Sequence, residues 1–357
     1  MEPFDLERTE RILVVLPTWV GDCVMATPTL RAIRRRFSTA RITFLMAPNV
    51  DGLMAGGDWM DEVEHWPARG DRNDVGANWR LARRLRGASF DLAVLLPNSF
   101  RAGMMALLSG ARRRLGYARD GRSVLLTDRV ATVDRGIEPH PICEHYGRIA
   151  AALGCPFPGD TLQLFTTPDC DASVERRLRF AGMDGGGPLV VISPGASFGA
   201  SKLWMPERFA AVADRLVESY GASVVITFGP GEKELASSIA DQMESGGEVF
   251  DDPPLSLGEL KSLIRRAQLL MVTDSGPRHI AKAFGVPVVT LFGPTHQAWT
   301  DTDYADERKL SIQVDCGPCQ QKVCPLGHRK CMDGITTDMV TEACGELLGS
   351  RTAAAVR

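Results

Sequence analysis

The sequence alternates short, continuously apolar segments with stretches of helical periodicity, and this pattern occurs twice. In the first half we predict β-strands at residues 11–16, 41–46 and 91–96, with helices at 22–37, 78–87, 100–109 and 142–153. In the second half we predict strands at 189–193, 223–228, 269–273 and 286–292, with helices at 206–219, 232–243, 256–266 and 277–284. Strands that are apolar throughout are typical of parallel sheets covered by helices on both faces. The chain is therefore predicted to be α/β, with two doubly wound sheets.

A glycine-rich segment, residues 182–188, lies between the two halves and resembles a linker. A chain of 357 residues fits two domains of ordinary size. We predict an N-terminal domain over 1–175, a C-terminal domain over 186–335, and a helix and tail over 336–357 for which a return toward the N-terminal domain is considered. Two such domains in tandem are expected to direct the carboxyl ends of their strands at one central cleft, since ligands of these sheets bind there.

The composition indicates a globular protein that stays in the cytoplasm. Hydrophobic residues make up 44% of the chain, but no apolar run reaches the roughly 18 residues needed to cross a bilayer. The N-terminal residues are acidic and lack the apolar core of a signal peptide.

The charge is distributed unevenly. Residues 1–180 contain 25 Arg, no Lys and 22 Asp+Glu, whereas the remainder is net acidic. The arginines are clustered at positions 31 and 34–36, and again at 112–114. Solvated helix and turn surfaces explain most such runs; the alternative is an acceptor rich in phosphate or carboxylate, or an anionic membrane surface. Nucleic acid is disfavoured as a partner because no aromatic residues interleave with the basic runs and the pI is about 6.1.

Asp22 follows the first predicted strand, after a Gly21 that permits a tight turn. Two interpretations remain open from the residues alone. Asp is a preferred N-cap, so Asp22 could only cap the following helix. A carboxylate at the carboxyl end of a strand could instead deprotonate a sugar hydroxyl as a general base.

Two segments of the second half favour an anion. In residues 193–202, small residues let backbone N–H groups approach a phosphate, the Ser197 hydroxyl can donate, and Lys202 adds charge, although a structural turn explains the segment equally well. In residues 274–279, Ser275 or Asp274 could cap a helix whose first N–H groups would face a diphosphate, and His279 lies one turn further. A helix that is only capped fits this second segment equally well. The loop at 292–295 could line the same pocket.

These motifs together resemble the ADP-heptose:lipopolysaccharide heptosyltransferases, glycosyltransferase family 9, and within them the heptosyltransferase II type. The resemblance extends from Arg11 to about Val340 and is carried by Thr18-Trp19-Val20-Gly21-Asp22, Pro194-Gly195-Ala196, Lys202-Leu203-Trp204-Met205-Pro206, Asp274-Ser275-Gly276-Pro277-Arg278-His279 and Leu291-Phe292-Gly293-Pro294-Thr295.

The resemblance implies a GT-B fold, two Rossmann-like domains facing a central cleft, with the acceptor bound by the first and the ADP-sugar by the second. It implies an inverting transfer without a divalent metal, and no cofactor. Asp22 matches the general base, and Lys202 is assigned with it to catalysis because it would stabilise the departing ADP. The donor-binding residues implied by the family are Ser197, Lys202, Glu232, Leu255, Asp274, Ser275, Gly276 and His279. Those assigned to the acceptor are Thr18, Gly21 and Arg31.

The reaction implied is transfer of a heptose from ADP-L-glycero-β-D-manno-heptose to the inner core of lipopolysaccharide. The partners are then the ADP-heptose donor, the lipid A-linked core oligosaccharide and, by peripheral contact, the inner leaflet of the cytoplasmic membrane. The alternatives are a GT-B glycosyltransferase using another nucleotide sugar, a nucleotide-sugar epimerase on a related scaffold, and a non-catalytic nucleotide-sugar-binding protein.

Nine cysteines include a dense group, namely Cys316, Cys319, Cys324 and Cys331, with His328 among them. Four thiols within sixteen residues could hold zinc, although the second pair lacks the usual spacing. Disulfides are disfavoured in a reducing compartment, and a loop of ordinary reduced cysteines is the alternative. No metal ligand is assigned to the catalytic site. The other five cysteines are expected to be small packed residues, namely Cys23, Cys143, Cys155, Cys170 and Cys344.

Overall fold

Two six-stranded parallel sheets organise the chain, one in each half. The computed structural model describes residues 6–68, 74–131, 139–183 and 185–355. The contacts divide the chain into unit 1, Met1–Gln163 with Ala298–Asp303, and unit 2, Leu164–Gln297 with Tyr304–Arg357.

The sheet of unit 1 has the strand order β3-β2-β1-β4-β5-β6, and every neighbouring pair is parallel. Its strands are β1 (Arg11–Val15), β2 (Arg41–Met46), β3 (Glu62–His65), β4 (Leu92–Leu95), β5 (Arg113–Tyr117) and β6 (Asp128–Val130). Its helices are α1 (Val20–Met25), α2 (Thr27–Arg36), α3 (Asp51–Met54), α4 (Val75–Gly87), α5 (Phe100–Leu108) and α6 (Ile142–Ala151). This strand order is that of a Rossmann sheet, whose ligands bind outside the carboxyl ends of the strands.

Unit 2 repeats the same topology, with strand order β12-β11-β10-β7-β8-β9. Its strands are β7 (Leu189–Ser193), β8 (Ser223–Ile226), β9 (Glu248–Val249), β10 (Leu269–Thr273), β11 (Val288–Phe292) and β12 (Glu307–Ser311). Its helices are α7 (Pro168–Phe180), α8 (Pro206–Tyr220), α9 (Lys233–Gln242), α10 (Leu257–Arg266), α11 (Gly276–Ala283), α12 (Lys330–Asp333) and α13 (Thr337–Ala355). The predicted α/β class with two doubly wound sheets is confirmed.

The predicted helix over 22–37 is interrupted, and this part of the prediction is wrong. The structure has α1 and α2 instead, with Ala26 between them and Pro28 in the first turn of α2. Proline has no N–H to donate to the preceding turn, and its ring clashes with the carbonyl four residues earlier, so a continuous helix cannot pass through it.

The strands β3, β5 and β6, at or next to the edges of the sheet, were not predicted because charged residues interrupt them. Their charges are paired across strands: Arg113 of β5 bonds Asp128 of β6, and Arg41 of β2 lies 2.5 Å from Glu62 of β3. A search for continuous apolar runs finds the central strands, which are buried on both faces. It misses outer strands that carry charged residues.

Unit 2 begins earlier in the chain than the predicted boundary, because α7 packs on α10 of the same unit. The last helix, α13, also belongs to this unit: Val340, Cys344 and Leu347 lie in the core formed with β7, β8 and α8. Within the part of the chain that the structure describes, no helix is long and apolar enough to span a membrane.

Candidate functional site

Asp22 lies just beyond the carboxyl end of β1, in the third residue of α1. The N-cap of this helix is Trp19, which has extended backbone angles and makes no side-chain cap hydrogen bond. The interpretation of Asp22 as an N-cap is therefore wrong. Its backbone carbonyl accepts the Ala26 N–H at 2.9 Å, as an ordinary helical residue does.

The Asp22 carboxylate is half-buried, and no described residue donates a hydrogen bond to it or pairs with it. Burial raises its pKa from the ordinary 3.8 to about 6, since removal from water disfavours the charged form. Cys23 beside it donates to the Pro17 carbonyl at 3.2 Å, and burial followed by the charge of Asp22 raises the pKa of its thiol. At neutral pH the start of α1 therefore holds one carboxylate that is largely removed from water and one thiol that stays protonated.

The residues predicted to bind the acceptor are arranged unevenly around Asp22. Thr18 is exposed and Gly21 is half-buried. Both lie close to Asp22 in the chain, where β1 leads into α1. Arg31 lies on α2 and donates to the Gln163 side chain at 3.2 Å and to the Thr161 carbonyl at 3.3 Å. Burial, followed by the charge of Arg35, lowers its pKa. Part of the donor capacity of Arg31 is thus used within unit 1.

The remaining arginine clusters are partly structural. Arg34 bonds Asp61 at 2.5 Å, and Arg36 lies over the Phe37 ring. Arg114 donates to the backbone carbonyls of Leu125 and Ala111. Most of these arginines therefore make contacts with strands and loops. They are not merely solvated side chains on helix and turn surfaces.

In unit 2, three loops at the carboxyl ends of adjacent strands meet on the Asp274 carboxylate. Lys202, from the loop after β7, is buried, and its Nζ donates to Asp274 Oδ2 at 2.5 Å and to the Asp274 carbonyl at 2.9 Å. Thr295, from the loop after β11, donates to the same Oδ2 at 2.7 Å. The loop at 292–295 thus lies beside the two predicted anion segments.

A buried ionic chain continues from this carboxylate through α11. Arg278 Nη1 lies 3.6 Å from Asp274 Oδ1, and its guanidinium binds Glu307 at 2.6 and 3.1 Å. Lys282 reaches the same Glu307 at 2.6 Å. Burial alone would raise the pKa of Glu307, but hydrogen bonds and charge from Arg278 and Lys282 lower it to about 2. With Lys202, three cations face two carboxylates, and the excess positive charge favours an anion.

Arg278, Lys282 and Glu307 are the residues that sequence reasoning missed. Arg278 and Lys282 have the i, i+4 spacing of one helical face, which was a usable signal. Their partner Glu307 stands on the edge strand β12, which was not predicted, so nothing in the sequence connected the three.

Two polar atoms at the start of α11 have no hydrogen-bond partner among the described residues, the Ser275 hydroxyl and His279 Nδ1. Ser275 is the N-cap by position but its side chain makes no capping bond, so the predicted capping role is wrong. His279 is 2% exposed. Burial, then the charges of Arg278, Lys282 and Lys202, keep its pKa well below the ordinary range, so the imidazole is neutral. Buried polar atoms without partners are rare, and a bound ligand would satisfy them.

Glu232 joins the loop after β8 to the loop after β7. Its Oε2 accepts the Gly229 N–H at 2.9 Å and packs against Gly195, where an added Cβ would lie only 2.0 Å from that oxygen. Gly195 is fixed from the other side because its carbonyl accepts from Thr273 Oγ1 at 2.7 Å. A side chain at Gly195 would therefore have to displace the Glu232 carboxylate from its present position.

The other residues predicted to bind the ADP-sugar donor make fewer described contacts. Gly276 opens α11 beside Ser275. Ser197 is exposed on the loop after β7, and Leu255 is half-buried ahead of α10. The described contacts do not connect Ser197 or Leu255 with the Lys202–Asp274 pair.

We predict that Gly195→Ala destabilises the protein by about 1 to 3 kcal/mol, because the new methyl displaces Glu232 and breaks its bond to Gly229. Equilibrium urea denaturation measures the change. Gly349→Ala, where nothing lies within 4 Å of the added carbon, is the control and should not destabilise, because alanine is the better helix former in α13. Once Glu232→Ala has removed that carboxylate, Gly195→Ala should cause no further loss; an equal further loss in that background would contradict the steric explanation.

We predict that Asp22→Asn stabilises the fold at pH 8 by about 1 to 2 kcal/mol. This gain is smaller than the raised pKa of Asp22 alone would give, because the side chain is partly hydrated. The folded-state pKa is raised, so the cost of ionising Asp22 is absent below pH 4 and develops as the pH rises through 6. Denaturation at pH 8 and pH 4 tests this. A gain at both pH values, or an equal gain in the exposed Asp58→Asn control, would refute it.

Comparison with known proteins identifies the family and the fold of this chain. The family model for glycosyltransferase family 9 (heptosyltransferase) matches residues 78–330. Lipopolysaccharide heptosyltransferase 2 of Escherichia coli K12 is 24% identical over 95% of this chain and 98% of its own length. Lipooligosaccharide heptosyltransferase 2 of Campylobacter jejuni is 24% identical over 93% and 97%.

Two solved structures have the same fold. The family 9 glycosyltransferase of Veillonella parvula superposes with a TM-score of 0.83, at 23% identity over 96% of this chain and 97% of that one. E. coli ADP-heptose lps heptosyltransferase II gives 0.79, at 22% identity over 96% and 99%. The fold class is GT-B, as predicted. From the family match over most of its length, the chain belongs to glycosyltransferase family 9, the heptosyltransferases.

Proposed function

We propose that this chain transfers a heptose from ADP-L-glycero-β-D-manno-heptose to the inner core of lipopolysaccharide, with inversion and without a divalent metal. Relatives named as lipopolysaccharide and lipooligosaccharide heptosyltransferases match nearly the whole chain, and their names support the acceptor class. The observation that carries the mechanism is the unpartnered, half-buried Asp22 carboxylate with a pKa of about 6.

Asp22 is the general base. It takes the proton of an acceptor hydroxyl while that oxygen bonds to the anomeric carbon of the heptose. The bond from the anomeric carbon to the diphosphate breaks at the same carbon, and ADP leaves with the bonding electron pair. A pKa of about 6 suits this task, because the carboxylate is ionised at neutral pH yet retains more basicity than an ordinary aspartate.

Unit 2 binds the donor. An ammonium has three N–H donors, and two of those on Lys202 are held by Asp274, so one remains for a diphosphate oxygen. The Gly276 N–H at the start of α11 and the Ser275 hydroxyl supply further donors. The cations of the buried chain offset the charge that develops on departing ADP, which is the task a divalent metal performs in other transferases.

The remaining assignments belong to the same proposal. Glu232 and Leu255 contact the ribose and adenine, Ser197, Asp274, Gly276 and His279 complete the donor site, and Thr18, Gly21 and Arg31 contact the acceptor. The acceptor is lipid A-linked, so the enzyme works in the cytoplasm at the inner leaflet of the cytoplasmic membrane. The basic first half of the chain supports attraction to such an anionic surface.

We predict that Asp22→Asn lowers kcat by about 10²- to 10⁴-fold with ADP affinity unchanged, because only proton removal is lost. Wild-type kcat/KM should rise with pH through an apparent pKa near 6, and the variant should lose that step. Transfer to purified core acceptors, measured from pH 5 to 8, gives both values. Asp58→Asn, an exposed aspartate of unit 1, is the control. Near wild-type turnover by Asp22→Asn would exclude the general-base role.

We predict that Lys202→Met weakens ADP binding at least about tenfold, measured by calorimetry, because it removes the buried cation nearest the proposed diphosphate. Asp274 is then left unpaired, so the variant also loses stability. A Lys202→Met/Asp274→Asn double variant should regain stability without regaining ADP affinity. Lys233→Met, an exposed lysine of the same unit, should bind ADP normally. Wild-type ADP affinity in the double variant would remove Lys202 from the donor site.

A panel of ADP-, UDP- and GDP-sugars decides between the proposed donor and the alternatives left open by the sequence. Turnover of ADP-heptose alone is expected. Turnover of another nucleotide sugar in its place, or binding without any transfer, would overturn the proposed reaction.

A further inference from the structure

The segment between β12 and α12, residues 312–329, is eighteen residues long and has no regular secondary structure. It exposes apolar side chains, with Val323 71% and Leu326 62% exposed. Long loops with little apolar burial are rarely ordered without another constraint. We define the cysteine loop as residues 316–331, which contain Cys316, Cys319, Cys324 and Cys331.

The four thiols of the cysteine loop converge. All four line one open pocket, together with His328. All four are free, and Cys331 lies within electrostatic range of both Cys316 and Cys319.

The Cys324 sulfur is surrounded by backbone donors. The backbone N–H groups of Leu326, Gly327, His328 and Arg329 lie around it, in a turn whose Gly327 N–H donates to the Cys324 carbonyl at 3.2 Å. Several backbone N–H groups directed at one sulfur are the environment of a metal-bound thiolate, whose charge they compensate. A neutral thiol is a weak acceptor and would not require them.

His328 is oriented as a donor to this cluster. Its Nδ1 accepts the Lys330 N–H at 3.1 Å, which places the ring proton on Nε2. That Nε2 lies 3.9 Å from Cys316 Sγ. A nitrogen that carries a proton cannot bind a cation, so His328 supports a thiolate and the ligands are the four cysteines.

We propose that Cys316, Cys319, Cys324 and Cys331 bind one thiophilic divalent cation, Zn²⁺ or Fe²⁺, in a tetrahedral structural site. Among the described residues, no three His, Cys, Asp or Glu side chains already stand in a binding arrangement. Binding therefore needs rotation of the cysteine side chains about χ1 into the pocket they line, and each coordinating thiol releases its proton to solvent. The neighbouring cations Lys322, Arg329 and Lys330 offset the net charge of four thiolates around a divalent ion.

The site would hold the loop that carries Lys202. Ser201 Oγ donates to the Gln321 carbonyl at 2.6 Å, and the Ser201 N–H donates to the Lys322 carbonyl at 3.1 Å. An added Cβ at Gly199 would lie 2.4 Å from that same Lys322 oxygen, so the two backbones are in direct contact. The Arg329 guanidinium donates to the Leu203 carbonyl. Residues 199–203 thus rest on the cysteine loop.

The test is the metal content of the full chain, purified without a metal-affinity tag and without chelator, by plasma mass spectrometry. We expect about one equivalent of zinc plus iron per chain. Reconstitution with Co²⁺ should give the intense absorption of tetrahedral cobalt thiolate. Cys319→Ser and Cys331→Ser should lose the metal, and Cys170→Ser, a half-buried cysteine outside the loop, should retain it. His328→Ala should also retain one equivalent.

Wild-type protein alone also tests the proposal, in case the serine variants do not fold. Titration with a mercurial should release the metal as the four thiols react. Protein that holds no zinc, iron or cobalt after reconstitution would overturn the site, and loss of the metal in His328→Ala would overturn the four-cysteine ligand set. Hydrogen exchange at residues 199–203 should increase when the metal is removed; unchanged exchange would refute the supporting role. None of these measurements uses sugar transfer, so they stand apart from the proposed reaction.

Discussion

The Lys202–Asp274 ion pair is the interaction on which the proposed donor site of unit 2 depends. It joins residues 72 positions apart in the chain, and Thr295 adds the loop after β11 to the same carboxylate oxygen. Each charge is buried, so each requires its partner: breaking a buried pair by removing one member typically costs about 3–5 kcal/mol. Arg278, Glu307 and Lys282 extend the same constraint along α11 to the sheet edge. The loops around the proposed diphosphate are therefore fixed by charge pairing as well as by strand ends.

The sequence predicted the central strands because burial on both faces produces continuous apolar runs, as in β1 and β10. It failed at outer strands such as β5, whose charged residues are compensated by a neighbouring strand. It failed also between Asp22 and Arg36, where Pro28 divides one predicted helix into two. Lys202 and Asp274 were each predicted as site residues, but their direct contact was not, because local pattern contains no information about residues on separate strands.

Asp22 shows the same limit at a single residue. Its position after β1 and its resemblance to a family base were visible in the sequence. What distinguishes it from a capping aspartate is the helix register, which gives the N-cap to Trp19, and burial without a partner, which raises its pKa. Both are properties of the folded backbone. The cysteine group shows the converse: its spacing was imperfect for a metal, yet the fold directs all four thiols at one pocket.

The burial of the unit 2 cations has a consequence for ionic strength. Mobile ions screen charges that they can surround, with a Debye length of about 8 Å at physiological salt, and screen buried charges far less. Arg278 is fully buried and Lys202 nearly so. A diphosphate held there would lose little affinity as salt rises, whereas attraction of exposed side chains such as Arg35 to an anionic surface would fade. Under the proposed function, added salt would weaken the attraction of unit 1 to an anionic acceptor and leave the binding of the nucleotide by unit 2 nearly constant.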